Sequence, residues 1–270
     1  MNYNDKTVYV LPNLMTAGNL ICGFMAVLQI FDGTMLRQFE GENWHVHYQY
    51  SLYLILLACV FDLLDGRIAR MSGHTSSFGR EFDSLADIVS FGVAPALLLF
   101  EIVLWELPDR LGWIIAALYL VCGAMRLARF NLIAVHSEKS GTPAKDFIGL
   151  PIPAAAGLIA SITLMLLTLY ENKGSIGNWK YVLAGLMVFT SIMMFSKVHY
   201  PSFKGLHLKT KRSVPRLLGI VLLLIVIGKF YEYSLALIFC AYLIYGFVRP
   251  FIHRNWRPDF EEEDECRLSK

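Results

Sequence analysis

The sequence has 270 residues, of which 56% are hydrophobic and 17% are charged, and its net charge is +2. Average soluble domains carry about 25% charged residues, and a near-neutral balance gives no indication of nucleic-acid binding. The apolar residues fall in long runs separated by short polar stretches, which is typical of a protein that crosses the membrane several times.

Eight apolar segments each come close to the length of about 20 residues that a helix needs to cross the hydrocarbon core. Their apolar residues are continuous rather than alternating, which favours helices over a membrane barrel. We therefore predict an all-α fold, a polytopic bundle of transmembrane helices. The predicted spans are 14–31, 50–72, 83–105, 112–134, 149–170, 179–197, 213–229 and 232–249.

Basic residues in the connections predict how this bundle is oriented. Nineteen of the 24 Lys and Arg residues fall in the termini and one set of connections. The remaining five, on the other side, are Arg37, Arg110, Lys173, Lys180 and Lys229. The positive-inside rule then predicts a multi-pass protein of the cell (inner) membrane with both termini in the cytoplasm. The facing ends of spans two and three would also lie there.

Four aspartates occupy these facing ends. Asp62 and Asp65 are three residues apart, and Asp83 and Asp87 are four apart, so each pair shares one helix face. A glycine-containing turn, about 73–79, can bring the two helices back antiparallel. We therefore expect the four carboxylates to converge near the cytoplasmic membrane boundary.

Clustered carboxylates repel one another and lose solvation, and ionisable groups inside spans are usually functional. Hard divalent cations prefer oxygen ligands and would stabilise such a cluster. There is no neighbouring set of His and Cys residues that would favour zinc. We predict a pair of Mg²⁺ or Mn²⁺ ions, with Ca²⁺ as a third candidate. The structural alternative is a helix hairpin in which Arg67, Arg70 and Arg80 pair with the aspartates.

The complete spacing is Asp-x2-Asp-Gly-x2-Ala-Arg-x8-Gly-x3-Asp-x3-Asp, from Asp62 to Asp87. It resembles, position for position, the signature of the CDP-alcohol phosphatidyltransferases. Eight fixed positions within 26 residues make this a specific signal. The resemblance implies a six-helix catalytic core around a binuclear metal site. It also implies that a CDP-linked lipid supplies a phosphatidyl group and that CMP leaves.

The same resemblance implies a role for each matching residue. Asp62, Asp65 and Asp83 are expected to be metal ligands, and Asp87 both a ligand and the general base for the acceptor hydroxyl. The segment around Asn13 resembles the donor-binding stretch of the family. The expected contacts for the CDP-lipid are Asn13, Thr16, Gly66, Ala69, Arg70, Ser76 and Gly79.

Four further segments resemble the phosphatidylserine synthase branch of this family. They are Ser90–Ala96, Arg126–Asn131, Phe147–Ala154 and Tyr200–Lys204. This resemblance implies CDP-diacylglycerol and L-serine as substrates. The guanidinium groups of Arg126 and Arg129 could fork onto the serine carboxylate. Phosphate binding and positive-inside anchoring are the rival roles for these two arginines.

The resemblance also suggests a division of the chain and a homodimeric assembly. We expect a polar juxtamembrane segment over 1–13, a catalytic core over 14–205, two additional C-terminal spans over 206–249 and a cytoplasmic tail over 250–270. Three alternatives stay open. The acceptor could be glycerol 3-phosphate or inositol, the aspartates could serve a cation transporter, or the bundle could be a membrane scaffold.

Overall fold

The computed structural model describes residues 3–39, 43–72, 77–140, 147–173, 178–196, 199–200 and 231–252. The prediction of an all-α fold is confirmed. A π-helical turn joins α3 to α4, and two short 3-10 turns precede α5. The helices are α1 (Tyr3–Gln38), α2 (Trp44–Ser72), α3 (Ser77–Asp87), α4 (Ala94–Ile102), α5 (Leu111–Ser140), α6 (Ile152–Lys173), α7 (Trp179–Phe195) and α8 (Tyr231–Ile252); the π-helical turn is Ile88–Val93, and the 3-10 turns are Leu104–Glu106 and Pro108–Arg110.

Several of these helices are suited to a membrane. Within the part of the chain that the structure describes, four helical segments are long and apolar enough to cross it: Pro12–Gln38, Phe78–Ile102, Pro108–Ala134 and Ile152–Leu169. Two shorter apolar helices lie in α7 and α8. The second predicted span corresponds to α2, while the seventh, 213–229, lies outside the described residues. The chain is thus an integral membrane protein built as a helix bundle.

Helices α1 and α2 run antiparallel over most of their length. Near one end, the Thr16 hydroxyl lies 3.1 Å from Asp65 Oδ2. Near the other end, the Thr34 hydroxyl lies 3.1 Å from the Tyr48 hydroxyl. Between these ends the interface includes the fully buried Leu52. The hairpin therefore fixes the register of α1 against the helix that carries the first aspartate pair.

The π-helical turn follows directly on Asp87 and lies in the middle of the bundle. Ser90, Phe91 and Gly92 of this turn are buried. The Tyr119 hydroxyl of α5 donates a hydrogen bond of 2.9 Å to the Phe91 carbonyl. A π-helical turn changes the hydrogen-bond ladder of a helix, and this bond gives one of its carbonyls a partner from a neighbouring helix.

Two short strands join distant parts of the chain. Phe147–Ile148 and His199–Tyr200 pair antiparallel, with Phe147 opposite Tyr200. Gly149 follows with a φ of +84°, and a Cβ there would lie 2.4 Å from the Met194 carbonyl oxygen. The start of the Phe147–Ala154 segment therefore lies beside Tyr200, the described residue of the Tyr200–Lys204 segment, and glycine is required where Phe147–Ala154 turns into α6.

The end of the bundle opposite the aspartates is held by ion pairs. Arg37 donates to the Glu101 carbonyl oxygen at 2.7 Å and lies 3.5 Å from its carboxylate. The Arg37 guanidinium also lies 5.2 Å from the centroid of the Trp105 ring. Lys180 lies 3.1 Å from Glu106. Two of the five basic residues predicted for the minority side thus share this end.

Substitution of Gly23 by alanine is expected to lower the free energy of unfolding by about 1–3 kcal/mol, as overpacking does. A Cβ at Gly23 would lie 2.2 Å from Ser90 Oγ and 2.6 Å from Ser90 Cα, so backbone would have to move. Gly185→Ala is the matched control, because no atom lies within 4 Å of a Cβ built there. Thermal unfolding in detergent compares the two variants, and equal unfolding temperatures would contradict the predicted close approach of α1.

Candidate metal-binding active site

The candidate site lies at one end of the bundle, where α1, α2, α3 and α5 meet. Asp62 of α2 and Asp83 and Asp87 of α3 each offer a carboxylate oxygen, and these atoms all lie within 4.8 Å of one another. Asp87 is only 5% exposed, and the other two side chains are half-buried. The structure thus brings together three of the four predicted aspartates from two helices.

Asp65, the fourth aspartate, is not part of this cluster. Its side chain is 5% exposed, and its Oδ2 lies 3.1 Å from the Thr16 hydroxyl. That hydroxyl also lies 3.1 Å from the Pro12 carbonyl oxygen. A hydroxyl has one proton to donate, and an ionised carboxylate is the stronger acceptor of the two. The role of Asp65 as a metal ligand stays a prediction.

The three clustered carboxylates fit a divalent cation. Oδ1 of Asp83 is buried and has no hydrogen-bond partner among the described residues, although a buried polar oxygen normally has one. The close carboxylates would also repel one another in the absence of a positive charge. Carboxylate oxygens are the ligands that Mg²⁺, Mn²⁺ and Ca²⁺ prefer. The cluster of Asp62, Asp83 and Asp87 could therefore hold a metal ion.

Asn19 of α1 is a site residue that the sequence reasoning missed. It is 0% exposed, and its Nδ2 donates a hydrogen bond of 3.1 Å to Asp87 Oδ1. The signal was present, because an amide within an apolar span is costly and is often functional. Asn19 also lies three residues after Thr16 and therefore on the same face of α1. The sequence alone did not show that this face of α1 packs against Asp87 of α3.

Arg126 of α5 faces the carboxylates. Its side chain is half-buried, and its guanidinium interacts electrostatically with Asp87, Asp62 and Asp83. It also lies 5.7 Å from the centroid of the Phe130 ring, which is within the range of a cation–π interaction. The role of Arg126 as a contact for the acceptor stays a prediction.

Residues near Arg126 on α5 and α8 also pack at this end of the bundle. Asn131, also on α5, donates a hydrogen bond of 2.9 Å to the Ser84 hydroxyl on α3. Tyr242 of α8 lies near Arg126. Arg129 is half-buried one turn after Arg126. A single arginine thus lies among helices from three distant parts of the chain.

The predicted CDP-lipid contacts are placed unevenly. Asn13 is half-buried one turn before Thr16, and Gly66 and Gly79 are half-buried beside the aspartate pairs. Ala69 and Arg70 belong to α2, but their side chains are outside the described part of the structure, as is the whole of Ser76. The contacts of all seven residues with a lipid stay predictions.

Comparison with known proteins agrees with this geometry. A family model described as CDP-alcohol phosphatidyltransferase matches residues 9–199. The CDP-diacylglycerol–serine O-phosphatidyltransferase of Helicobacter pylori strain J99 is 36% identical over 244 residues, which cover 90% of this chain and 91% of that protein. A protein of the same name from Methanocaldococcus jannaschii is 31% identical over 92% of this chain and 98% of its own length. An archaetidylserine synthase from Methanothermobacter thermautotrophicus is 32% identical over 77% of each chain.

Proposed function

Because this chain belongs to the CDP-alcohol phosphatidyltransferase family, we propose that it transfers a phosphatidyl group from CDP-diacylglycerol to L-serine, giving phosphatidylserine and CMP. The observation that carries the proposal is the acidic cluster of Asp62, Asp83 and Asp87, which faces Arg126. The serine synthases among the relatives match this chain over most of its length. Their names supply the substrates that the geometry alone does not distinguish.

In the proposed reaction the serine hydroxyl oxygen attacks the phosphorus that carries the diacylglycerol. A new P–O bond forms to serine, and the P–O bond to CMP breaks. Asp87 accepts the hydroxyl proton as general base. Its carboxylate belongs to the acidic cluster, where the serine hydroxyl is proposed to react. Bound divalent cations, proposed to be two Mg²⁺ or Mn²⁺ ions, would neutralise the diphosphate and the charge on the departing CMP. Asp62, Asp83 and Asp87 would hold them, with Asp65 as a fourth ligand.

The two substrates are proposed to bind on either side of the cluster. The serine carboxylate would meet the guanidinium of Arg126, with Arg129 as the second candidate, because a guanidinium binds a carboxylate through two parallel hydrogen bonds. The CDP part of the lipid would lie over Gly66 and Gly79, where the absence of side chains allows a flat group to approach the backbone. Asn13 and Thr16 would supply polar contacts.

The membrane placement follows from the distribution of charge. We propose that the aspartate end lies on the cytoplasmic side of the inner membrane. Arg37 and Lys180 share the opposite end, and the sequence predicts the basic majority for the cytoplasmic side. The acidic cluster lies at one end of the bundle and not along its depth, which argues against a cation pathway. We also propose a homodimer, with residues 14–205 as the catalytic core.

The test is release of CMP by the purified full-length protein in detergent, with CDP-diacylglycerol and Mg²⁺ or Mn²⁺. Serine, glycerol 3-phosphate and inositol are supplied as separate acceptors, and an ether-linked CDP lipid replaces the diacyl donor in a parallel series. We expect release that depends on serine and on the metal. Release with another acceptor alone would overturn the choice of serine, and no release from folded, metal-loaded protein would overturn the reaction.

A further inference from the structure

The first helix contributes no aspartate to the site, yet it contacts two of the four. On α1, Thr16 Oγ1 lies 3.1 Å from Asp65 Oδ2, and Asn19 Nδ2 lies 3.1 Å from Asp87 Oδ1. Thr16 is 3% exposed and Asn19 is 0% exposed. A spacing of three residues puts both side chains on one face of α1. That face therefore reaches one carboxylate on α2 and one on α3.

Asn19 is itself held firmly against α3 and its π-helical turn. The Ser90 hydroxyl donates a hydrogen bond of 2.9 Å to the Asn19 carbonyl oxygen. Gly23, one turn later on α1, allows Ser90 to approach the backbone this closely. The close contact between Ser90 and α1 therefore fixes the backbone that carries the Asn19 amide, and this amide donates to Asp87.

Packing alone does not explain an asparagine at this position. Oδ1 of Asn19 is buried without a hydrogen-bond partner among the described residues, and an unpaired buried acceptor destabilises a fold. An apolar side chain of similar size would avoid that cost. Among the described residues, the hydrogen bond that the Asn19 side chain makes is the one to Asp87, which points to a role for this amide at the acidic cluster.

We infer that Thr16 and Asn19 are positioning residues, which fix the carboxylates of Asp65 and Asp87 so that the first helix sets the geometry of the metal site. The inference rests on the proposed function, in which both aspartates are ligands. A hydrogen bond to one carboxylate oxygen fixes the rotation of that carboxylate, and partners of this kind orient metal ligands before the ion arrives. Thr16 then acts through Asp65, and not only by touching the CDP-lipid.

The experiment measures Mn²⁺ binding to the purified full-length protein in detergent, without substrates, by the electron paramagnetic resonance signal of the free ion. Thr16→Val and Asn19→Leu remove the two hydrogen-bond donors; valine is close to threonine in volume, and leucine keeps the branched shape of asparagine in a larger side chain. Each is expected to weaken Mn²⁺ binding by about 10- to 100-fold, the usual effect of losing a partner that orients a ligand. Thr34→Val is the matched control on α1, because its hydroxyl contacts Ile30 and Tyr48 instead, and it should bind Mn²⁺ as the unaltered protein does.

Two further variants separate positioning from folding. Thr16→Ser keeps the hydroxyl and should bind Mn²⁺ nearly as well as the unaltered protein. Asn19→Ala is the second choice if the leucine variant fails to fold, with folding checked by thermal unfolding in a chelator. Unchanged Mn²⁺ affinity in folded Thr16→Val and Asn19 variants would overturn the inference. A Thr16→Val variant that binds CDP-diacylglycerol poorly but Mn²⁺ normally would overturn it for Thr16.

The failure of this inference is distinguishable from failure of the proposed function. If the unaltered protein binds Mn²⁺ tightly and the variants bind it weakly, the inference stands whatever the acceptor proves to be. If the unaltered protein releases CMP with serine and the folded variants bind Mn²⁺ equally well, the function stands and the inference falls.

Discussion

Asp87→Asn is expected to lower the rate of serine-dependent CMP release by about 10²- to 10⁴-fold, the range over which a general base contributes to catalysis. Asparagine has nearly the same shape as aspartate, so it can occupy the same position, at which the side chain is only 5% exposed. Its amide cannot accept the serine hydroxyl proton at neutral pH. The substitution also removes one negative charge from the group formed with Asp62 and Asp83, so metal binding is expected to weaken as well.

The measurement must therefore separate these two effects. Rates are compared at Mn²⁺ concentrations that saturate each protein, where a loss of metal affinity no longer limits the rate. Asp32→Asn is the matched control, because it is the same substitution at an exposed carboxylate on α1. It should leave the rate unchanged. If saturating Mn²⁺ restored the rate of Asp87→Asn to that of the unaltered protein, Asp87 would be a ligand only, and another group would have to take the proton.

The acidic cluster could be predicted because its geometry is local. A spacing of three or four residues puts two carboxylates on one helix face whatever the rest of the fold does. A short turn between two helices then leaves few ways to arrange the pairs. Asp62, Asp83 and Asp87 accordingly converge. Asp65 is held by Thr16 at 3.1 Å, and such a bond depends on the register of α1 against α2, which no local pattern contains.

Longer-range features could not be predicted for the same reason. The bond between Asn19 and Asp87 joins residues 68 positions apart, and it depends on how α1 packs on α3. The pairing of Phe147–Ile148 with His199–Tyr200 is only two residues long, which is too short for alternation to show. The π-helical turn after Asp87 has no periodicity of its own in the sequence. None of these features produces a local pattern in the sequence from which it could be predicted.

The position of α8, the last described helix, could not be predicted from the sequence either. The sequence analysis named no candidate site residue in the two C-terminal spans. In the structure, α8 packs on α6, where a Cβ at Gly157 would lie 2.2 Å from the Phe239 ring. Tyr242, one turn after Phe239, lies near Arg126. Residues beyond the region matched by the family, 9–199, therefore approach Arg126.

Arg126→Lys is expected to raise the KM for serine by about 10- to 100-fold and to change kcat less. A hydrogen bond to a charged group contributes about 1.5–3 kcal/mol, and lysine can replace one such bond to a carboxylate but not the parallel pair that a guanidinium makes. Lysine keeps the positive charge that faces Asp62, Asp83 and Asp87. If Arg126 served only to neutralise the cluster, this substitution would have little effect, so the conservative variant tests the specific role.

Steady-state CMP release at varied serine concentration gives KM and kcat, and Mn²⁺ binding without substrate shows whether the metal site is intact. Arg129→Lys is the matched control on the same helix, one turn away. A rise in KM confined to Arg126→Lys would assign the serine carboxylate to Arg126, whereas a rise confined to Arg129→Lys would assign it to the second candidate. Weakened Mn²⁺ binding with an unchanged KM would mean that the guanidinium supports the aspartates alone. If neither variant raised the KM, the acceptor would have to be bound by groups outside the Arg126–Asn131 segment.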